Sequence, residues 1–204
     1  MGNCFVLRPI QRSALPSSFY LAVKRCGTRP TRDVLAVSVA GQQMNHYRSC
    51  AAETSAVNGT TPYALINQFV ISTSRFGIGQ VEGSNCTPLG LHRVAKKIGA
   101  GWPVGTAFKS RQVIGFTWQG MPDATITTRI LWLEGLEAGL NRGGNVDSHA
   151  RYIYIHGTGD ETTLGRPASC GCIHVSSGDL MPLFDRLQEG TLVWIAPTEA
   201  LHRV

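Results

Sequence analysis

The sequence predicts a mainly β domain, a sandwich or barrel with a few accessory helices. Three observations lead there. The chain carries 23 glycines and 10 prolines in 204 residues, which implies many turns. Short β-branched and aromatic segments recur between those turns. One late stretch alone has clear helical periodicity. The apolar fraction of 43% is that of a globular protein able to bury a core.

Residues 1–32 have poor periodicity and read as an N-terminal extension, either a degraded export signal or a disordered segment. Its apolar pieces are interrupted by Arg8, Pro9, Gln11 and Arg12, whereas a signal peptide needs a clean apolar run of about 7–15 residues. From Asp33 the pattern changes, and "DVLAVSVAGQQM" should open the first strand. "NHYRSCAAETSAVNGTTPYA" is polar and turn-rich, expected to be a long loop with some helix around Ala51. "LINQFVISTSRFG" reads as a strand running into a glycine turn. Further strands are expected at "LHRVAKKIG", "RQVIGFTWQ", "TITTRILWLEG" and "RYIYIHG".

"SSGDLMPLFDRLQEG" is the clearest helix. Ser177 can cap it, Leu180, Leu183, Phe184 and Leu187 share one face, and Gly190 ends it. "TLVWIAP" is a last buried strand stopped by Pro197. The domain is therefore bounded at residues 33–197, with 198–204 as a tail.

Nineteen basic against thirteen acidic residues give a net charge of +6. That suits an anionic partner, but the charges are scattered, with no run longer than "AKK", so no nucleic-acid surface is indicated. No apolar run approaches the roughly twenty residues of a membrane span. Six cysteines (Cys4, Cys26, Cys50, Cys86, Cys170 and Cys172) leave the redox compartment open in a chain of this size. Oligomeric state is not readable.

The chemistry concentrates in "YIYIHGT" and "SCGCIHV". The first is a strand that delivers His156 to its C-terminal end, beside a glycine. The second begins thirteen residues beyond His156 and places Cys172 in a Ser-x-Gly-Cys turn. A nucleophilic thiol needs a base and backbone N–H groups for the developing oxyanion. Gly171 lets the backbone curl so that its own N–H and that of Cys172 can serve. Two other readings stand beside this one. If residues 170–174 are extended, Cys170, Cys172 and His174 share a face and, with His156, make a Cys2His2 set fit for zinc. Alternatively Cys170 and Cys172 are buried or oxidised; in a strand their Cα atoms would lie about 6.6 Å apart, near the limit for a bridge.

"YIYIHGT…GRPASCGCIHV" resembles the catalytic signature of the L,D-transpeptidases, the YkuD-like family. In these a histidine is followed, after a dozen or so residues, by Ser/Thr-His-Gly-Cys, a hydrophobic residue and Arg/Asn. "VISTSRFGIGQVEGSNCTPLGLHRVAKKIG" is similar to the family's Ser-Thr…Thr-Pro-x-Gly stretch, and "ILWLEGLEAGLNRGGNVDSHARYIYIHGT" to the segment leading into the histidine. The resemblance covers about residues 65–195 and implies a β-sandwich or barrel-like catalytic domain. It also implies cysteine-dependent acyl transfer on peptidoglycan stem peptides, without a cofactor or metal, in the periplasm or cell envelope.

By this resemblance Cys172 is the nucleophile and His156 its base. Gly157 supplies the carbonyl that orients the histidine. Gly171, Cys172 and Cys170 lend N–H groups to the oxyanion, and Ser169 holds the turn. Arg166, Thr158 and His174 are candidate substrate contacts. The pattern departs at two positions: Cys170 stands where the family has histidine, and His174 where it has arginine or asparagine. A catalytically silenced or redox-gated member that binds cell-wall peptides, or a zinc-stabilised binding module, is therefore the alternative.

Overall fold

The computed structural model describes residues 15–50 and 62–198. Ten strands form one sheet: β1 (Asp33–Ser38), β2 (Gln43–Ser49), β3 (Tyr63–Ser72), β4 (Gly90–Ile98), β5 (Thr106–Lys109), β6 (Gln112–Phe116), β7 (Ile126–Gly135), β8 (Tyr154–Gly157), β9 (Ile173–Val175) and β10 (Leu192–Ala196). Two α-helices accompany them, α1 (Ser17–Arg25) and α2 (Ser177–Arg186). The strand order is β4-β10-β1-β2-β3-β9-β8-β7-β5-β6, and a further β4–β7 pairing closes the first eight of these into a barrel. The β5–β6 hairpin stands outside the ring as a branch from β7. Closure pairs strand edges that would otherwise be open.

Neighbouring strands are antiparallel except for β1 beside β10 and β8 beside β9. The second exception decides the site. A parallel pair needs a long crossover, and the crossover between β8 and β9 contains the Ser-Cys-Gly-Cys turn.

Strand β1 is buried on both faces. Leu35 and Val37 join Phe69, Ile71, Leu131, Ile155, Ile173 and Val193 in the main core, where α2 adds Leu180, Leu183 and Phe184. Val34 and Ala36 face the other way, onto Phe19 and Val23 of α1, with Tyr47, Leu91 and Leu192 around them. The sequence reading placed no helix before residue 33. Yet Phe19 is fully buried and meets the Trp194 ring edge-on at 6.5 Å.

Other differences are local. Residues 45–49, read as loop, continue β2, because the polar His46 and Arg48 find a buried partner in Asp33. The distances are 2.6 Å and 2.9 Å. The helix expected around Ala51 lies outside the described residues. Helix α2 is capped one residue earlier than expected. Ser176 Oγ accepts the Asp179 N–H at 3.1 Å, and the helix ends at Arg186, before Gly190. The predicted apolar face, Leu180, Leu183, Phe184 and Leu187, is buried. No described helix is long and apolar enough to cross a membrane.

If α1 is an integral layer over β1, Phe19→Ala should lower the unfolding free energy in urea by about 3 kcal/mol or more. A loss below 0.5 kcal/mol would show the helix to be dispensable.

Candidate active site

The β8–β9 register pairs Ile155 with Ile173 and His156 with His174. Side chains alternate along a strand, so Tyr154, His156 and His174 lie on one face. Cys172, just before β9, packs into the apolar cluster around Tyr154, Trp132 and Ile130 on that same face. The strand register thus turns the imidazole toward the face on which the thiol packs.

His156 is held from behind. Its Nδ1 lies 2.8 Å from the Gly157 carbonyl. A nitrogen facing a carbonyl carries the proton, so Nε2 is left as the basic lone pair. Gly157 can be nothing larger: a Cβ there would come within 2.8 Å of both the carbonyl and the hydroxyl oxygen of Thr127 on β7. The opposing strand makes room through a bulge between Thr127 and Ile130, where Thr128 adopts φ 68°. Such bulges re-aim neighbouring side chains.

The turn that carries Cys172 is tied on both sides. Ser169 Oγ donates to the Cys172 carbonyl at 2.6 Å and accepts the Gly171 N–H at 3.3 Å. Thr87 Oγ1 donates to the Gly171 carbonyl at 3.1 Å, while itself accepting the Ser74 N–H. The N–H groups of Ala168 and Ser169 both donate to the Thr73 carbonyl. Gly171 has φ 118°, and the Cys86 carbonyl sits 3.3 Å from where a Cβ would stand.

This bend means that 170–172 is not extended, so the condition for Cys170, Cys172 and His174 to share a face is not met. Among the described residues, no three His, Cys, Asp or Glu side chains are grouped to hold a metal. Cys170 is exposed and Cys172 half-buried, both as free thiols.

Burial governs the protonation states. Desolvation pushes the Cys172 thiol up to about 11. A backbone hydrogen bond from Tyr154 and the charge of Arg151 oppose the shift, and Cys170 adds to it. His156 is pulled down to about 3 by burial, aided by the neighbouring His174 and opposed by the Gly157 carbonyl. Burial likewise lowers His174 to about 4. Its ring lies 4.7 Å from that of His156, and its buried Nδ1 has no hydrogen-bond partner. At rest, thiol and imidazole are both neutral. The thiol donates to the Tyr152 carbonyl at 3.5 Å.

The remaining candidates are more peripheral. Thr158 Oγ1 accepts the Asp160 N–H, and Arg166, exposed, gives its carbonyl to the Ser72 hydroxyl. Sequence reasoning missed four groups. Arg151 donates to the carbonyls of Gly79, Gln80 and Cys86, pinning the 75–87 loop beside the turn. Thr87 secures Gly171. Tyr152 and Tyr154 line the thiol, and Arg111, at the tip of the β5–β6 hairpin, lies over Tyr152 and Trp132. Thr87 had a signal, its place in the "TPLG" stretch. Arg111 had none.

Two outcomes test this geometry. Gly157→Ala should cost about 1–3 kcal/mol in urea unfolding, because the Thr127 backbone must shift. Iodoacetamide alkylation of Cys172, followed by peptide mapping, should climb about tenfold per pH unit from pH 7 to about 10. A plateau near neutrality would contradict a thiol held up by burial.

Comparison with known proteins bears on the family and the fold. The family model described as L,D-transpeptidase catalytic domain (YkuD) matches residues 51–195. None of the curated proteins matches. Among solved structures, Bd1075 of Bdellovibrio bacteriovorus is 14% identical with a TM-score of 0.52, covering 93% of this chain and 53% of its own. An L,D-transpeptidase from Mycobacterium smegmatis is 12% identical over 81% of this chain and 58% of its own, with a TM-score of 0.43. L,D-transpeptidase 3 from Mycobacterium tuberculosis, solved with a faropenem-derived adduct, is 14% identical over 80% and 60%, with a TM-score of 0.41. The chain thus spans less than two thirds of the length of each. The likeness to Bd1075 supports the barrel fold, and the family match covers most of the chain. The chain belongs to the L,D-transpeptidase catalytic domain family.

Proposed function

We propose that this chain is a cysteine-dependent L,D-transpeptidase acting on peptidoglycan stem peptides. One observation carries the reading: His156, with Nδ1 fixed on the Gly157 carbonyl, offers Nε2 on the face that also bears Cys172.

In this mechanism the neutral pair reacts as substrate enters. Cys172 Sγ attacks the carbonyl of the diamino-acid residue of a tetrapeptide stem as its proton passes to His156 Nε2. The carbonyl oxygen becomes an oxyanion, for which the N–H groups of Cys172, Gly171 and Cys170 are the assigned donors. Gly171 must loosen its bond to Ser169 Oγ to join them. When the tetrahedral intermediate collapses, the C–N bond breaks and the imidazolium returns its proton to the departing amine of the terminal D-alanine. A thioester on Cys172 remains. An amine of a second stem, deprotonated by His156, displaces the thiolate and gives a cross-link. Water in the same place gives a carboxypeptidase outcome. The substrate lies outside the cytoplasmic membrane, so the reading carries with it a place in the cell envelope.

His174 fills the position of the family's arginine or asparagine and packs on the base, where its neutrality keeps a second positive charge away from His156 when that residue is protonated. Cys170 replaces a histidine outside the nucleophile–base pair.

The test is intact mass of the reduced protein before and after incubation with a carbapenem, with peptide mapping and a Cys172→Ala control. The lactam carbonyl imitates the acyl donor. A single adduct on Cys172, absent from the control, is the expected result. No adduct under reducing conditions would overturn the catalytic reading in favour of a silenced, peptide-binding member.

A further inference from the structure

The β5–β6 hairpin turns through two residues, Ser110 and Arg111, both with positive φ (48° and 67°). Such a turn favours asparagine and glycine, and an arginine there sits against its backbone preference. Backbone strain of this kind tends to accompany a functional position. Arg111 is placed with care. Its guanidinium lies 4.9 Å from the centre of the Trp132 ring and 5.0 Å from that of Tyr152, and Nη1 donates to the Tyr154 hydroxyl at 3.3 Å. The aromatic layer is itself braced, since Trp132 stacks on His149 at 4.0 Å and meets Tyr154 edge-on.

The same residues surround the nucleophile. Cys172 packs with Tyr154 and Trp132, and its thiol rests on the Tyr152 carbonyl. Among the described residues, no carboxylate forms an ion pair with Arg111, whereas Arg25, Arg48 and Arg93 each have one. Arg151, the other cation near the thiol, spends its N–H groups on loop carbonyls. Arg111 is therefore a cation held over the aromatic layer against which Cys172 packs, oriented by ring faces and, among the described residues, without a carboxylate partner.

We propose that Arg111 binds a carboxylate of the donor peptide adjacent to the scissile bond and makes the site select for it. The inference rests on the transpeptidase reading of Cys172. A planar fork over aromatic rings presents its edge to a carboxylate, which it can bind through two parallel N–H···O bonds. The peptide offers that group from two sources, the free α-carboxylate of the terminal residue or a side-chain carboxylate on the residue that acylates Cys172. Arg111 acts at binding and takes no proton, so its effect falls on KM rather than kcat.

The experiment compares tetrapeptide donors that differ in one group: C-terminal carboxylate against carboxamide, and side-chain carboxylate against its amide. Turnover is read with the wild type, Arg111→Gln and Arg111→Lys, and peptide affinity is read on each in a Cys172→Ala background. In the wild type one acid donor should exceed its amide by roughly tenfold in kcat/KM, mostly through KM. Arg111→Gln should bring that ratio close to one, and Arg111→Lys should restore part of it. The pair that responds identifies the carboxylate. A ratio unchanged in Arg111→Gln, or no preference for either acid in the wild type, overturns the proposal. Carbapenem adduct formation in each Arg111 variant separates this failure from failure of the transpeptidase reading. Adduct without charge selectivity sinks the Arg111 assignment alone. Charge-selective binding without adduct or turnover sinks the catalytic reading alone.

Discussion

The site depends on β8 and β9 running side by side in the same direction. An antiparallel neighbour would join β8 by a short turn and bring a different residue opposite His156. Parallel pairing instead forces the chain out and back, and the returning segment has to bend before it can re-enter the sheet. The bend is where the thiol stands. Its position is fixed less by the strands than by the hydroxyls and carbonyls that grip the crossover: Ser169 from inside, Thr87 and Thr73 from the 73–87 segment. That segment is in turn anchored by Arg151, whose guanidinium gathers three carbonyls. A chain of polar contacts thus connects a loop after β3, a turn before β9 and a residue before β8. Each link is short-ranged, so displacement of one should be felt at the sulfur.

The barrel contributes rigidity and dryness. Core residues such as Ile155 and Ile173 point away from the site, and their packing holds the two strands in register. On the other face, burial strips water from both imidazoles. Neutral His156 and His174 can then lie close, their rings inclined to each other, without repulsion. The bulge in β7 completes the fit by admitting the Gly157 backbone, whose carbonyl sets the tautomer of His156.

Much of this was legible in the sequence, and the pattern of what was not is physical. His156, Gly157, Ser169, Gly171 and Cys172 are close in sequence, and their spacing within one crossover carries their relation. The strands with β-branched runs were readable for the same local reason. Strand β2 was lost because Asn45, His46 and Arg48 look like loop residues until Asp33 is placed beside them, a pairing that exists only across the sheet. Helix α1 was lost because Phe19, Ala22 and Val23 are too few to make a strong periodic signal; what they pack on comes from strands far along the chain. Arg111 lies in a segment with no chemical motif, and its meaning arises from Trp132, Tyr152 and Tyr154, brought to it by the β5–β7 pairing. Local patterns pointed to Cys172 and His156 as candidates, whereas residues defined by long-range contact stayed silent.

The neutral resting state has a consequence for durability. Burial holds the proton on Cys172 well above neutral pH, so the thiolate is a minor form there. Peroxides and adventitious electrophiles attack the thiolate form, so the sulfur is guarded by its own protonation. On the proposed reading, that protection would lengthen the working life of the acyl-transfer thiol. In the proposed mechanism activation would be deferred to the arrival of a carbonyl beside His156, whose tautomer is already set by the Gly157 carbonyl.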